Sequence, residues 1–377
     1  MLNLETAFYT LSLMRVRGVG SIIGKRLVDF FSSAKEVFMA DRVKIEQVAG
    51  RFVSENIKKF DKWSSVEESL KLSLKLGHKF VCYEEKDKYP ELLLKIPDPP
   101  LCLFFKGNLE PNVLSVAVVG TRRPSSYGVE VTRIFTKALS SIGICITSGL
   151  ALGLDTIAHK TCVEVSGKTY AVLGSSLENI FPYENKNLTD AILKKNGAIL
   201  SEFPPGTLPS VENFPRRNRI IAGISKAVLV VEAPEKSGAL ITAQIASEYG
   251  RDVFAVPGNI FSKTSKGTNK LIKDGALVAE TPDDVISRII PTLSVKQNPQ
   301  QIGLISPYVN IIKKSDMSKE EEIILSNLDT EKALHIDDII KRTSLPPQDV
   351  ISTLISLEIK GMVIEQTTGY YRKPEPS

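Results

Sequence analysis

The sequence of 377 residues has few of the side chains that bind metals or form cross-links. It contains four cysteines without a CxxC pair, and its three histidines lie far apart with no HxxxH or HExxH pattern. We therefore expect reduced, mostly buried thiols rather than a disulfide framework, and we expect no metal site.

Long apolar runs are also missing. A membrane-spanning helix needs roughly 18 or more consecutive apolar residues, and no stretch approaches this length. The N-terminal residues MLNLETAFYT lack the basic segment followed by an apolar one that marks a secretory signal. The sequence thus predicts a cytoplasmic protein with no membrane partner.

The usual binding loops for nucleotide cofactors are absent as well. No GxxxxGK[ST] sequence occurs, and Gly120, which ends an apolar run, is followed by Thr-Arg-Arg instead of continuing as GxGxxG. No GxSxG turn presents Ser148 or Ser237 as a nucleophile. We therefore expect no cofactor and no catalytic residues.

What the sequence does contain, from Val113 to Ile290, is a regular alternation of short apolar runs and amphipathic segments of helical length. Short, nearly continuous apolar strands separated by helices are typical of a parallel sheet covered on both faces. We predict an α/β fold for residues 113–290, a Rossmann-like doubly wound and mostly parallel sheet. The predicted strands lie at 114–119, 144–147, 169–173, 197–202, 227–232, 252–256 and 276–279, and the predicted helices at 127–141, 153–166, 186–196, 214–223, 238–250 and 267–273.

The region before the sheet divides into two predicted parts. Residues 1–76 are predicted to form a helical domain, in which RVRGVGSIIGKRLVDFF places a Gly-Val-Gly turn between two helices, as in a SAM-like or helix-hairpin-helix element. Such a turn either contacts a nucleic-acid phosphate or simply packs the helices. Residues 77–112 contain two strand-like runs separated by prolines, which predicts an extended connector packing on the sheet domain.

Two further segments follow the sheet. Residues 291–317 are rich in proline and polar residues and are predicted to be a linker. Residues 318–373 are predicted to form a winged helix of three helices and a two-stranded wing. The region from 318 to the end has seven Lys and Arg against eleven Asp and Glu. Because phosphate binding needs positive charge, we expect a protein contact or a modest DNA contact here rather than strong DNA recognition.

Small and basic residues accumulate where the predicted strands end. Small residues let backbone amides approach a ligand closely, and guanidinium groups supply charge and a planar face. Because a single nucleotide needs about two cations, the larger number here favours a polymer, and Phe214 offers a stacking surface for a base. The clustered cations are Arg122, Arg123, Lys186, Arg216, Arg217, Arg219, Lys263 and Lys266.

Two other classes of function compete with this interpretation. A nucleotide-processing Rossmann-like hydrolase would need a general base at a strand end, and the candidates are Glu202, Glu232 and Asp155. These carboxylates also have possible structural roles. Glu202 and Glu232 could pair with the arginines, and Asp155 could stabilise the start of a helix. A transcription regulator would use the winged helix to prefer duplex DNA of a specific sequence.

Several longer motifs, taken together, resemble the bacterial DNA-processing protein A family, also called DprA or Smf. They occur in order within residues 116–278 and read VVGTRRPSSYG, SGLALGLDTIAH, LGSSLENIFPYENKNL, GAILSEFPPG, FPRRNRIIAGIS, VVEAPEKSGALITAQIASEYGRDVFAVPG and KGTNKLIKDGA. The flanking domains are similar to those of the family in architecture more than in motif.

The resemblance implies a non-catalytic protein that binds single-stranded DNA, protects incoming strands in natural transformation, loads the RecA recombinase, and forms homodimers. Carried onto this chain, it implies that the Gly120-Thr121-Arg122 loop and residues 214–219 hold the strand, that Lys186 contacts a phosphate, and that the segment near 269–278 lies at the dimer interface. With the small and basic residues at the other strand ends, the predicted DNA-binding set is Gly120, Thr121, Arg122, Arg123, Ser148, Gly149, Lys186, Phe214, Arg216, Arg217, Asn218, Arg219, Ser237, Gly238 and Lys266, and the predicted dimer interface is Asn269, Leu271, Ile272 and Val278. Replacing Arg122 and Arg217 together by alanine is expected to abolish strand retention without changing the thermal melt.

Overall fold

The computed structural model describes residues 3–290, 318–329, 333–343, 345–359, 362–367 and 369–373. The chain divides into two compact units, residues 1–293 and 294–377. The predicted linker at 291–317 lies outside the described residues. The narrower boundaries predicted within the first unit, at 76 and 112, remain predictions.

The N-terminal region is helical, as the sequence predicts. Its helices are α1 (Leu4–Met14), α2 (Ser21–Phe31), α3 (Ala34–Met39), α4 (Arg42–Ala49), α5 (Arg51–Lys58) and α6 (Trp63–Lys75). The turn before α2 contains Gly18 at a φ of 92°, a conformation that favours glycine. Within α2, Gly24 lies so close to Leu101 that a Cβ there would displace that side chain, and this contact brings α2 against the connector.

A nine-stranded sheet forms the centre of the first unit. Its strands are β1 (Lys79–Cys82), β2 (Cys102–Gly107), β3 (Ser115–Val119), β4 (Cys145–Ser148), β5 (Thr169–Val172), β6 (Ala198–Ser201), β7 (Ala227–Val230), β8 (Asp252–Ala255) and β9 (Leu277–Val278). Their order is β1-β2-β6-β5-β4-β3-β7-β8-β9. From β6 to β9 all neighbours are parallel, whereas β1 and β2 add to the β6 edge in antiparallel orientation. The predicted α/β fold with a mostly parallel sheet is confirmed.

Helices cover both faces of this sheet because successive side chains of a strand point to opposite faces. In β3, Val116 and Val118 belong to one apolar cluster, which includes Phe135 of a covering helix. Ala117 and Val119 belong to a second apolar cluster on the other face. The helices of this region are α7 (Glu91–Leu94), α8 (Ser126–Ser141), α9 (Leu154–Glu164), α10 (Lys186–Lys194), α11 (Asn213–Ile224), α12 (Gly238–Glu248), α13 (Lys266–Lys273) and α14 (Pro282–Ile289).

The strand order reverses at β3. The chain proceeds from β3 to β4, β5 and β6 on one side, and then returns to β7, β8 and β9 on the other. In open α/β sheets, ligands bind outside the carboxyl ends of the strands at such a point. The loop that follows β3 is therefore the centre of the candidate site.

The second unit is a winged helix, as predicted. It consists of α15 (Lys319–Asn327), β10 (Leu334–His335), α16 (Ile336–Thr343), α17 (Pro347–Ile359), β11 (Ile364–Thr367) and β12 (Tyr370–Arg372). The wing strands β11 and β12 pair with each other, and β10, which the sequence did not predict, joins β12 to give the order β10-β12-β11. Ile324, Ile339 and Leu354 contribute to a separate apolar core. No helix among the described residues is long and apolar enough to cross a membrane.

Candidate nucleic-acid interface

The loop after β3 is fixed by its backbone and leaves two arginine side chains exposed. The amide of Thr121 donates to the carbonyl of Glu232 at 2.8 Å, and the Thr121 hydroxyl accepts from the amide of Arg123 at 3.2 Å. Gly120 lies so close to Glu232 that a Cβ at residue 120 would come within 2.9 Å of the Glu232 carbonyl oxygen. The backbone is thus held at its base while Arg122 and Arg123 face solvent.

The loop after β4 packs beside it and is organised by a buried carboxylate. Asp155 accepts from the amides of Gly149 at 3.1 Å and Ala151 at 3.4 Å, at the start of α9. The hydroxyl of Ser148 donates to the carbonyl of Val118 at 2.7 Å. Ser148 and Asp155 are therefore buried, and Asp155 has the helix-start role that was its alternative to catalysis.

A cavity of about 90 Å³ lies between these two loops and α11. The guanidinium of Arg122 lies 5.7 Å from the centre of the Phe214 ring, within the range of a cation–π contact. The Phe181 ring lies 6.0 Å from that of Phe214 and is about half exposed. The lining residues are Arg122, Gly149, Ala151, Leu152, Phe181, Pro182, Phe214 and Arg217. Four of the predicted DNA-binding residues thus meet here.

Arg217 contributes to this cavity from below the surface. It is 5% exposed and donates to the carbonyls of Gly149 and Val172. Burial lowers the pKa of Arg217 to about 10, and the nearby Asp155 acts in the opposite direction. Burial likewise raises the pKa of Asp155, against the effect of Arg217. The guanidinium is a structural link between the β4 and β5 ends, so an unchanged melt is no longer expected once Arg217 is replaced.

The other two arginines of α11 share one buried carboxylate. Arg219 is 7% exposed and forms an ion pair with Glu202. It also donates to the carbonyl of Asp98 and to the hydroxyl of Ser21 at 3.3 Å, which joins the connector and α2 to the sheet. Arg216 is exposed, with its guanidinium 3.8 Å from Glu202. The sequence predicted that Arg219 lies on the surface formed by the loops at the strand ends. It does not reach this surface, because Glu202 and Asp98 hold its side chain in the interior.

The remaining predicted DNA-binding residues lie outside the cavity. Asn218 is buried and accepts from Nε of Arg217 at 3.1 Å. Ser237 caps α12 by accepting from the amide of Ala239 at 3.3 Å, and its neighbour Gly238 is exposed. Lys186, near the ring of Tyr183, and Lys266 are also exposed. Exposed cations therefore occur after several of the strands.

Sequence reasoning missed the apolar part of the cavity. Leu152, Phe181 and Pro182 all line it, and the side chains of Leu152 and Phe181 are each more than 40% exposed. A signal was present, since Phe181 follows a predicted strand and precedes Tyr183 and a cation. Aromatic residues interleaved with positive charge at a strand end favour base stacking.

The carboxylates proposed for the hydrolase alternative all have structural partners. Glu202 pairs with Arg219 and Arg216, as expected for its alternative role. Glu232 does not contact an arginine, contrary to the same expectation, and accepts instead from Ser125 and Thr264. His159 is fully buried, with Nδ1 2.7 Å from the hydroxyl of Thr169. Within the described residues no three His, Cys, Asp or Glu side chains form a group that could hold a metal.

The residues predicted for a dimer interface lie near the β9 edge. Asn269 exchanges two hydrogen bonds with the backbone of Gly258, at 2.9 and 3.2 Å. Leu271 and Ile272 are half-buried on α13, and Val278 is 43% exposed on β9. Because β9 ends the strand order, its outer edge is open to pairing or packing.

Comparisons with known proteins agree with this architecture. The model of the family "DNA recombination-mediator protein A" matches residues 79–290, and that of the "DprA winged helix domain" matches residues 313–368. The chain is 35% identical to Protein Smf of Synechocystis sp., covering 99% of this chain and all of the relative. This Smf similarity extends over the N-terminal helices as well as the sheet.

Two solved structures give the same result. The crystal structure of DNA processing protein A from Streptococcus pneumoniae aligns with a TM-score of 0.64 and 33% identity, covering 76% of this chain and 98% of the other. The Helicobacter pylori DNA processing protein A, described for its single-stranded DNA binding mode, aligns with a TM-score of 0.51 and 29% identity. The alignment covers 57% of this chain and 96% of the Helicobacter pylori chain. With its rim loops, its mostly parallel sheet and its winged helix, this chain belongs to the DNA recombination-mediator protein A (DprA/Smf) family.

Proposed function

We propose that this protein binds single-stranded DNA in DNA uptake and recombination, and that it does so without catalysis. The observation that carries the proposal is the cavity where Arg122 and the rings of Phe181 and Phe214 meet at the strand-order reversal. The Helicobacter pylori relative, which binds single-stranded DNA, supports the same function.

In this proposal, positively charged side chains bind the phosphates and aromatic side chains stack on the bases. Arg122 is exposed, so its guanidinium can leave the Phe214 ring and contact a phosphate. An unpaired base can then stack on Phe214 or Phe181, and each such stack contributes about 1–3 kcal/mol. Lys186, Arg123 and Arg216 lie exposed around this point and extend the positive path along the rim.

The absence of catalysis is proposed from the environment of the candidate bases. Asp155, Glu202 and Glu232 are each buried and already accept hydrogen bonds or ion pairs from protein groups. A general base has to reach the proton that it removes. Incubating the protein with nucleotides is expected to give no turnover, and measurable hydrolysis would favour the hydrolase alternative.

The site is tested by replacing Arg122 with alanine and measuring retention of oligo-dT in a mobility-shift assay. We expect at least a tenfold loss of affinity, because a phosphate contact and its neighbouring charge are removed, with an unchanged thermal melt. Arg133→Ala is the matched control, since Arg133 is also an exposed arginine, lies on α8, and pairs with Glu130 at 3.8 Å. Equal retention by the two variants would refute the site. Oligo-dT should also bind better than a matched duplex.

We further propose that the chain forms homodimers through the β9 region and loads RecA onto the bound strand. Val278→Glu would place a charge on the exposed edge and should yield monomers in light scattering, whereas Val211→Glu, at a residue 83% exposed in a loop, should not.

RecA loading predicts that the protein restores RecA ATP hydrolysis on strands coated with a single-strand-binding protein. If RecA ATP hydrolysis is not restored, RecA is not a partner of this protein. A cytoplasmic location follows from the same role.

A further inference from the structure

A second and larger cavity lies on the other side of the loop that follows β3. Its volume is about 310 Å³, and it is lined by Ser125, Tyr127, Glu232, Gly258, Asn259, Ser262 and Ser265. These residues come from the start of α8 and from the segments after β7 and β8. The cavity containing Phe214, in contrast, lies at the ends of β4 and β5. Arg122 lines that first cavity and Ser125 lines the second, so the same loop contributes to both cavities.

The chemistry of the second cavity differs from that of the first. No arginine or lysine is among its lining residues, and its charged group is the carboxyl of Glu232, which is 2% exposed. The carboxyl accepts from the amide and hydroxyl of Ser125 at 3.0 and 2.6 Å, and from the hydroxyl of Thr264 at 2.9 Å. It therefore acts as an acceptor in every one of these contacts. A phosphate entering here would face the carboxylate of Glu232 with no arginine or lysine among the lining residues.

The same cavity can accept a neutral ring with N–H donors. A carboxylate offers about four acceptor positions, and three donors contact that of Glu232, so capacity for a further donor remains. The side-chain oxygen of Asn259 accepts from the amide of Phe261 at 2.9 Å, and its NH₂ group is a donor. The volume lies at the lower end of the roughly 300–1,000 Å³ typical of small-ligand sites. Tyr127, about half exposed, adds an aromatic wall.

We propose that this cavity binds a second nucleobase of the DNA strand that Arg122 holds, and that it prefers guanine. The inference rests on the proposed single-strand binding and specifies a further subsite. Guanine presents two adjacent N–H donors and one carbonyl acceptor on its Watson–Crick edge, which fits an acceptor at Glu232 and a donor at Asn259. Thymine presents a single N–H donor between two carbonyls and fits less well.

The surface around the cavity suits the sugar-phosphate chain. Lys263 and Arg123 are exposed and lie close in sequence to residues that line the cavity. Ile260 and Phe261 are 74% and 87% exposed at the tip of the loop between β8 and α13. Exposed cations and apolar side chains are thus neighbours in sequence of lining residues that supply acceptors, and this is the pattern expected when phosphates stay outside and a base enters.

The test uses the full chain and fluorescence anisotropy with oligo-dT strands that carry one guanine at successive positions. Wild-type protein should bind one of these strands about fivefold more tightly than oligo-dT, the contribution of roughly one net hydrogen bond. Glu232→Gln and Asn259→Ala should each remove that preference and retain binding to oligo-dT. Asn108→Ala, at an exposed asparagine after β2, is the matched control and should keep it.

Each outcome decides a different statement. If guanine gives no positional preference, or if the preference survives in both variants, the second subsite is refuted while the Arg122 site stands. If Glu232→Gln does not fold, because its contacts with Ser125 and Thr264 are lost, Asn259→Ala alone decides. If the wild type does not bind oligo-dT, the proposed function itself fails, and if Arg122→Ala binds it equally well, the Arg122 site fails.

Discussion

Arg122 and Arg217 line the same cavity, but their surroundings give them different roles. Arg122 is exposed and contacts the face of Phe214, so a phosphate can attract it at little cost. Arg217 is buried, and its guanidinium donates to the carbonyls of Gly149 and Val172 beside Asp155. Losing Arg122 is therefore expected to weaken strand binding, whereas losing Arg217 is expected to remove a support on which the cavity depends.

Arg217→Ala is therefore expected to destabilise the fold. It removes the donors of two buried carbonyls and the positive charge near Asp155, and each buried acceptor left without its donor costs about 1–3 kcal/mol. Chemical denaturation monitored by circular dichroism should show this loss for Arg217→Ala and none for Arg122→Ala. Equal stability of the two variants would contradict the structural role of Arg217.

A second prediction at this scale concerns pH. Burial, reinforced by Arg217, lowers the pKa of His159 from 6.5 to about 3. The unfolded chain therefore binds a proton between these pH values that the folded chain does not, and the stability contributed at neutral pH falls on acidification by about 1.4 kcal/mol per unit. The pKa values of Asp155 and Glu202 are raised by burial and act in the opposite sense, so the total slope is not diagnostic.

The informative measurement is the difference between wild type and His159→Leu, which cannot titrate at this position. The free energy of unfolding of the wild type relative to this variant should decrease as the pH is lowered below about 6.5. Urea titrations at several pH values measure this difference. Parallel curves for the two proteins would show that residue 159 does not take up the proton.

At the scale of elements, the strands were predictable because each is a short apolar run with both faces buried. The predicted strand at 114–119 and the observed β3, Ser115–Val119, differ by one residue at one end. The side-chain environments were not predictable. Arg216 and Arg219 lie in one basic run, yet only one is buried, because α11 turns Arg219 toward Glu202 and Asp98. Glu202 was a candidate partner of the arginines, but the sequence did not indicate which arginine it would bury, and no local pattern identifies the distant Asp98 as a partner.

The contact between the loops after β3 and β4 gives a prediction for Gly153. This residue has a φ of 82°, and a Cβ would lie 2.7 Å from the Cα of Arg122. Gly153→Ala should displace the loop that presents Arg122, and should therefore weaken oligo-dT binding as well as stability. Gly143→Ala is the control, since Gly143 has a φ of 84° and nothing within 4 Å of a Cβ.

Both glycine variants incur the strain of a positive φ, at least about 1–2 kcal/mol, and the strain is larger at Gly153, whose ψ of −130° lies outside the left-handed helical region. Only Gly153→Ala adds a steric clash with the Arg122 loop. Thermal melts and anisotropy measurements on both variants separate the two effects. If Gly143→Ala loses as much DNA affinity as Gly153→Ala, the packing of the two loops does not control the site.

At the scale of the whole molecule, the first unit is predicted to carry the net positive charge and the main DNA contacts. Six of the eight clustered cations, all except Arg217 and Arg219, are exposed. The sequence from 318 to the end carries an excess of four acidic residues, seven basic against eleven. The apolar cores of the two units share no residue among those described. Each unit therefore has the interior that independent folding requires.

A chain ending at residue 293 is accordingly expected to fold and to bind oligo-dT at least as tightly as the full chain. If the six exposed cations each neutralise one phosphate, the logarithm of affinity should fall with the logarithm of salt concentration with a slope of about −4 for both chains. Removing the acidic unit should change neither the slope nor the melt of the first unit. A markedly shallower slope for the shortened chain would mean that basic residues of the winged helix contact the strand, and its acidic balance would then not prevent DNA binding.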